Sequence, residues 1–548
     1  MSNVIIIGSG AGGGAAAWRL TSKGLKVQIL EAGPSFDPLT DYKQDNSDWE
    51  TPFPVKEGSQ GGYIVAPLQP LTEETQDIRS WSFMNGKYVP GAFRTSFGYH
   101  HVRGFGGSSL HFTGEAHRLN PKSMSLQSDY GVGADWPFKY EDLEYYWRIA
   151  EKISGVCGPS TEQRSPKNDR VLGTPHPISY ASQALAAGAR KLGLTVTENS
   201  LAVNSTPQDD RADCNYCGGC LRGCQRGDKG SIDVTYLRRA MQTGNLTVTS
   251  STEVLKIITN ANRITGVLAA VDGVLKVIEA DLVILSAGSI FSPQILLNSE
   301  SVHSPEGLCN DSDQVGKNLM ETLLATSTAL HPDKLGSHRG LPVDWISWDF
   351  NDPISIPNVI GGCRFSPSMA ESDVVGPIAY ATRIVDGWGK DHKRNMQEAF
   401  GRILSISGIG ESLPNSKTFV DLASETNSHG LPLPRINSYI DEMATDRLRF
   451  MMTTCRNILA AAGCAAPIEE FSSIDAFSST HIFGTCRMGN VTEECVVNSY
   501  GQSFRWPNLY IADASVFPSS GGGESPGLTV QVLAIRSADH ILRNKGVQ

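Results

Sequence analysis

This sequence predicts an α/β fold with a doubly wound, dinucleotide-binding beginning, on three observations. The chain opens on an apolar run, Val4–Ile7, passes into a glycine-dense turn and continues into an alanine-rich stretch with helical propensity. A second apolar run at 26–30 ends on Glu31 and completes a βαβ unit. Residues 246–287 then read almost continuously as strand. Composition agrees: 548 residues, 40% hydrophobic and 19% charged, suit a large folded core and exclude a disordered chain. A net charge of −10 argues against a general nucleic-acid binder. No apolar run reaches the ~18 residues of a membrane span.

In chain order, 36–100 is rich in Pro, Gly, Asp and Gln and reads as surface excursions. Helix-spaced apolar residues predict helices at 141–154 and 181–192. The strand-like region divides into LTVTS, VLKII, ITGVLAAV and VLKVIEADLVILSAG, with Asp272-Gly273 as a hairpin turn. Ser292 reads as a helix start, with Pro293 in the first turn. Residues 301–440 look less regular, a long helix is expected at 441–462, and the chain ends in a strand at 509–512, a glycine-rich turn and a helix from about Leu528. With no internal repeat and no flexible linker, two domains would have to share the chain discontinuously.

Gly8-Ser9-Gly10-Ala11-Gly12-Gly13 fits G-x-G-x-x-G between a strand and a helix, with Glu31 at the distance of a ribose ligand. The first glycine makes the tight turn, the second admits the pyrophosphate to the backbone, and the third allows helix and strand to pack closely. NAD and FAD sites share this fingerprint.

Other segments resemble the glucose–methanol–choline (GMC) family of FAD-dependent oxidoreductases, in the family's order from residue 4 to beyond 530. They are Glu31-Ala32-Gly33; Val102-Arg103-Gly104-Phe105-Gly106-Gly107-Ser108-Ser109; Gly288-Ser289-Ile290-Phe291-Ser292-Pro293-Gln294-Ile295-Leu296; His481-Ile482-Phe483-Gly484-Thr485-Cys486-Arg487-Met488-Gly489; and Asn508-Leu509-Tyr510-Ile511-Ala512-Asp513-Ala514-Ser515. Sugar and alcohol dehydrogenases and long-chain alcohol oxidases are the members most similar in pattern. The resemblance implies FAD held by Gly8, Gly10, Ala11, Gly13, Glu31, Ala32, Arg103, Gly107, Ser108, His111, Val254, Asp513, Ala514 and Leu528. It implies His481 as catalytic base, a role that suits a neutral imidazole. His111 resembles the position at which pyranose oxidases bond a histidine to the flavin; related dehydrogenases keep a histidine there unbonded, and a flavin-face histidine is the expectation.

Two positions depart from the family pattern. Glu300 stands where a glycine usually closes the third segment. Ser525, in Gly523-Glu524-Ser525-Pro526, replaces the His or Asn that holds the substrate oxygen beside the base. A serine hydroxyl has one donor, so either Ser525 serves as a second catalytic residue with a shifted substrate, or Glu524 or an outside residue contributes. Apart from these, Cys214-x₂-Cys217-x₂-Cys220-x₃-Cys224 has ferredoxin-type spacing except that Gln225 replaces the usual proline. The spacing leaves three readings open: an iron–sulfur cluster, a structural or disulfide-bearing loop, and a structural zinc site.

The expected architecture is a Rossmann-like FAD-binding domain (1–35, 85–120, 225–310 and 490–548) with an interleaved substrate domain on an antiparallel sheet (36–84, 121–224 and 311–489, including the Cys-rich loop 214–224). The expected reaction is FAD-dependent oxidation of an alcohol, with a sugar hydroxyl as one candidate, the electrons passing to an external acceptor. An oxygen-using oxidase and a flavin-containing lyase are the alternatives. Expected partners are a small alcohol or sugar and a small electron-transfer or chaperone subunit, without nucleic acid. The N-terminus has no basic n-region and no twin arginine, so cytoplasmic residence is expected, or periplasmic residence if a partner carries the signal. Specificity should come from loops at 40–100 and 320–440.

Overall fold

Five short strands form one parallel sheet in the order Leu509–Ile511, Leu282–Leu285, Val4–Ile7, Val27–Leu30 and Leu246–Thr249. Val4 pairs with Val27 on one side and Leu282 on the other. Every residue of the strands Val4–Ile7 and Leu282–Leu285 is buried, as continuous apolar runs require in a sheet covered on both faces. The computed structural model describes residues 3–42, 61–79, 88–95, 101–160, 164, 172–368, 384–385, 387–477 and 481–547. The helix Ala11–Thr21 packs against the C-terminal helix Gly527–Asn544, and an Arg19–Asp539 ion pair at 2.6 Å joins them.

Between strands of this sheet lies the antiparallel unit Thr252–Thr259, Ile264–Val271 and Val274–Glu279. Its Asp272-Gly273 turn has φ of 49° and 79°, the two positive values that a two-residue hairpin favours.

A second core lies against a four-stranded antiparallel sheet, ordered Cys363–Pro367, Ile403–Gly410, Leu323–Leu330 and Glu469–Ser472. The helix Glu442–Ala461 covers it, N-capped by Asp441, whose carboxylate accepts from the Ala444 N–H at 2.7 Å. The helix Tyr180–Lys191 packs on that helix so closely that a Cβ on Gly188 would lie 2.5 Å from the Ile458 carbonyl oxygen.

Two expectations are corrected. Residues 301–440, read as irregular, supply three of the four strands of this sheet. Leu323–Leu330 hid from a hydropathy reading because it buries Thr326, Ser327 and Thr328, whose hydroxyls bond Ser407, Glu470 and Ser405 at 2.7–2.9 Å. The helix expected from Ser292 starts at Gly288 and runs to Asn298, with Pro293 inside it. Pro293 has no N–H for the Ser289 carbonyl; the Thr485 hydroxyl donates to that oxygen instead, at 2.8 Å. The helix expected at 141–154 begins with a 3₁₀ turn, Tyr140–Leu143, and continues as Glu144–Ser154. Of the excursions expected at 36–100, residues 43–60, 80–87 and 96–100 lie outside the described residues. Among the described residues no helix is long and apolar enough to cross a membrane.

Candidate active site

The first glycine turn leaves the parallel sheet at the end of Val4–Ile7, anchored by the Gly8 N–H on the Leu30 carbonyl at 2.9 Å. Gly10 is the N-cap of the helix Ala11–Thr21; no side chain caps that end, and its first turn holds no acid. Backbone N–H donors and the positive helix end are therefore offered to an anion. A Cβ on Gly10 would meet only the Gly107 Cα, at 4.0 Å, so the gap beside the helix end is walled by two glycines. Gly12 is tighter: a Cβ there would sit 1.6 Å from the Ala512 carbonyl oxygen, which seats the helix start directly on the segment leading to Asp513.

Glu31 is buried and accepts from the Ser9 N–H (2.9 Å), the Ser9 hydroxyl (2.6 Å) and the Gly33 N–H (2.9 Å). Burial pushes its carboxyl up, against those hydrogen bonds and the charge of Arg103. The Ser9 hydroxyl oxygen also accepts from the Gly106 N–H at 3.0 Å, so the two glycine turns are tied through one serine. Arg103 pairs with Glu253 at 3.2 Å, beside the buried Val254, and the Thr252 N–H bonds the Glu31 carbonyl at 2.8 Å. The Ser108 hydroxyl accepts from the Val102 N–H at 3.2 Å. His111 is buried with its Nδ1 against the Leu221 carbonyl. The Asp513 carboxylate is taken by the Gly288 N–H (2.9 Å), the Ser292 hydroxyl (2.6 Å) and the Ser515 N–H (2.9 Å). Ala514 accepts from the Gly484 N–H at 3.2 Å, joining this segment to the one that carries His481, and Leu528 is buried in the first turn of the last helix.

Five further separate segments converge. His481 is half-buried just before the strand Ile482–Phe483, its carbonyl held by the Thr322 N–H at 3.0 Å. Burial lowers its imidazole to about 4; the Glu115 charge opposes the shift and Arg364 adds to it. The ring is therefore neutral at neutral pH and can accept a proton. Glu115 follows the second glycine turn, and Arg364 lies on the strand Cys363–Pro367; the two pair at 2.7 Å with both side chains buried. The Ser525 hydroxyl donates to Glu115 Oε2 at 2.9 Å, and its N–H donates to His117 Nδ1 at 3.2 Å. His117 Nε2 meets Asn199 Oδ1 at 2.8 Å, which fixes the Nε2–H tautomer, and Asn199 Nδ2 donates to Glu115 Oε1 at 3.1 Å. Burial lowers His117 to about 3 despite the adjacent carboxylate. Burial would raise Glu115, but Arg364, His117, Ser525 and His481 hold it at about 2. The neighbouring Glu524 pairs with Arg164 at 2.5 Å and accepts from Asn351 at 2.8 Å.

The structure thus brings His481 and Ser525 to a common neighbour. Glu115, His117, Asn199 and Arg364 were missed in the sequence. The only signal for the first two is a Glu-Ala-His-Arg run soon after the second glycine turn.

The cysteine loop packs against the second glycine turn rather than forming a ligand set. Lys229 Nζ donates to the Leu110 (2.9 Å), Phe112 (3.0 Å) and Cys220 (2.7 Å) carbonyls. All eleven cysteines are free thiols, and among the described residues no three His, Cys, Asp or Glu side chains come together to hold a metal ion. Burial pushes the Cys214 thiol up to about 12 and Cys224 up to about 11. Cys220 is also raised, and Cys224 Sγ donates to Asp228 Oδ1 at 2.9 Å. Cys214, Cys217, Cys220 and Cys224 as arranged here do not fit the iron–sulfur cluster or zinc ion that their spacing suggested.

An uncapped helix end on a parallel sheet, joined through the 512–514 segment to the one that carries a neutral imidazole, is the arrangement of a dinucleotide-dependent oxidoreductase. Residues 129–323 and 414–534 match two GMC oxidoreductase models that together cover more than half of the chain, and residues 6–38 match an NAD(P)-binding Rossmann-like domain. The chain belongs to the GMC oxidoreductases, a family of FAD-dependent enzymes. It is 26% identical to a 2-methyl-1,2-propanediol dehydrogenase of Mycolicibacterium austroafricanum, over 99% of this chain and 95% of that protein. It is also 26% identical to a 6'''-hydroxyparomomycin C oxidase of Streptomyces lividus, over 98% of this chain and 90% of that one. The solved pyridoxine 4-oxidase from Mesorbium loti superposes with a TM-score of 0.66 at 16% identity, covering 99% of both chains.

Proposed function

We propose that this protein oxidises an alcohol to a carbonyl where its two sheets meet, with His481 as the base. The observation that carries this reading is a neutral imidazole within reach of the charges of the Glu115–Arg364 pair, to which Ser525 is hydrogen-bonded, on the segment hydrogen-bonded to Ala514. FAD would be held by the helix end at Gly10, Ala11 and Gly13, by Gly8, Glu31 and Ala32, and by the Arg103 to His111 segment, with Val254, Asp513, Ala514 and Leu528 around it. When bound, it supplies the electron sink for the hydride that leaves the substrate carbon. His481 takes the hydroxyl proton as the C–O bond becomes double, so two electrons and one hydrogen leave with the hydride and one proton stays on the protein.

Ser525 gives its single hydrogen to Glu115, the carboxylate whose charge acts on this base. It meets the substrate through its oxygen lone pairs, which suits a substrate carrying a second hydroxyl, the class that includes sugars and vicinal diols. A 2-methyl-1,2-propanediol dehydrogenase among the relatives supports that class. The electrons pass on to an external acceptor; the oxidase among the relatives supports oxygen as the alternative one. The cysteine loop is read as structural, bracing the second glycine turn through Lys229.

His481→Gln tests the reading. The variant is expected to keep FAD and to slow flavin reduction by about 100-fold or more, the usual weight of a general base. Reduction at the wild-type rate in His481→Gln would remove the base from the mechanism.

A further inference from the structure

Ser525 and His481, the two groups assigned to the substrate, share one neighbour that no motif marks. The Glu115 carboxylate binds the Ser525 hydroxyl and Arg364 through Oε2 and Asn199 through Oε1. Arg364 is itself fixed, its Nε donating to the Gly523 carbonyl at 2.8 Å and its Nη1 to the Ser366 hydroxyl at 2.7 Å. His117, neutral and in one tautomer, holds the Ser525 N–H from the other side. Glu115 therefore sits at the centre of a buried polar network whose members come from four places in the chain, and such a network fixes one geometry when it is satisfied.

Resting on the alcohol oxidation proposed above, we infer that Glu115 is a positioning residue for that reaction, holding the Ser525 hydroxyl with its hydrogen turned to the carboxylate and setting a negative charge opposite Arg364 beside His481. The carboxylate acts on the base through charge and on the substrate through Ser525, without touching the reacting atoms. The two charged groups that act on His481 are Glu115, which favours the imidazolium, and Arg364, which disfavours it. Neutralising Glu115 leaves Arg364 unopposed, so the imidazole holds its proton less firmly and the Ser525 hydroxyl loses a charged acceptor.

The test compares FAD-loaded wild type, Glu115→Gln, Glu115→Asp and Ser525→Ala. Diethyl pyrocarbonate acylates only neutral imidazole, so the rate of His481 modification against pH, read by peptide mass spectrometry, reports the midpoint of that one ring without any substrate. The inference predicts a midpoint lower by about half a unit or more in Glu115→Gln. Ser525→Ala and Glu115→Asp, which keep the carboxylate, should lie closer to wild type. Flavin reduction by 1,2-propanediol supplies the second readout: Ser525→Ala should cost little further in a Glu115→Gln background, because the two act as one unit. An unchanged midpoint in Glu115→Gln with FAD retained overturns the inference, as do fully additive rate losses. If Glu115→Gln fails to hold FAD, Glu115→Asp decides: its longer reach to Ser525 should lower the reduction rate toward that of Ser525→Ala, and a wild-type rate overturns the inference. Absence of flavin reduction by any alcohol in wild type would strike the reaction instead and leave the His481 midpoint to report on Glu115.

Discussion

The imidazole of His481 is neutral where most histidines begin to take a proton, and two consequences follow. Its proton affinity lies below the ordinary value of 6.5, at about 4. The unfolded chain thus binds a proton between those values that the folded chain refuses; stability from this group is full above about pH 6.5 and is lost as pH falls through 4. Catalysis should follow the same midpoint: in pH-jump experiments the flavin-reduction rate should hold down to about pH 5, and a decline centred near the ordinary histidine value would contradict the environment described. Glu411 behaves in the opposite sense. It is fully buried, and burial pushes its carboxyl from the usual 4.5 to about 7, with Arg447 pulling it down and Glu524 pushing it up. A group raised on folding stabilises fully below its unfolded value and loses that contribution as pH rises through its folded one. The contribution of Glu411 to the wild-type Tm should therefore be lost between about pH 4.5 and about pH 7, and that loss should be absent from Glu411→Gln. Equal falls in both proteins would exclude Glu411 as the responsible group.

At the scale of elements, the helix Gly288–Asn298 shows how one segment repairs another. Pro293 orphans the Ser289 carbonyl, and Thr485, four residues after His481, supplies the missing donor. Thr485→Val keeps the shape but leaves that oxygen unpaired, so it should cost about 1–3 kcal/mol in urea unfolding. A cost near zero would mean that the proline is accommodated some other way. Elements whose signals are local were legible in the sequence. The Asp272-Gly273 hairpin, the long helix expected at 441–462 and the first βαβ unit are each specified by a few neighbouring residues. The antiparallel sheet was not, because its central strand fills buried positions with Thr and Ser that find partners only across strands. The helix start at Gly288 was misplaced for a related reason: a proline was read by its ordinary position, while its remedy lay far along the chain.

In the whole molecule the parallel sheet gathers strands from the first thirty residues, the middle and the last forty, and the antiparallel sheet fills the interval between. That interleaving lets residues as distant as Glu115, Arg364, His481 and Ser525 share one buried site. Half of that set was visible beforehand, because His481 and Ser525 lie in segments that resemble a family pattern. Glu115 and Arg364 were not visible, since a lone acid and a lone arginine in separate stretches acquire meaning only through the 2.7 Å contact that folding gives them. The cysteine loop is the converse case: a ligand-like spacing is a one-dimensional pattern, and among the described residues these thiols are not gathered into a ligand set, while the loop packs against the second glycine turn. The most direct measurement is an anaerobic titration of the purified holoprotein with vicinal diols, hexoses and long-chain alcohols, following the visible flavin absorbance. Bleaching by at least one of them, with the matching carbonyl found in stoichiometric amount, is the predicted result. Flavin that stays oxidised with all of them, yet bleaches with dithionite, would contradict alcohol oxidation at this site.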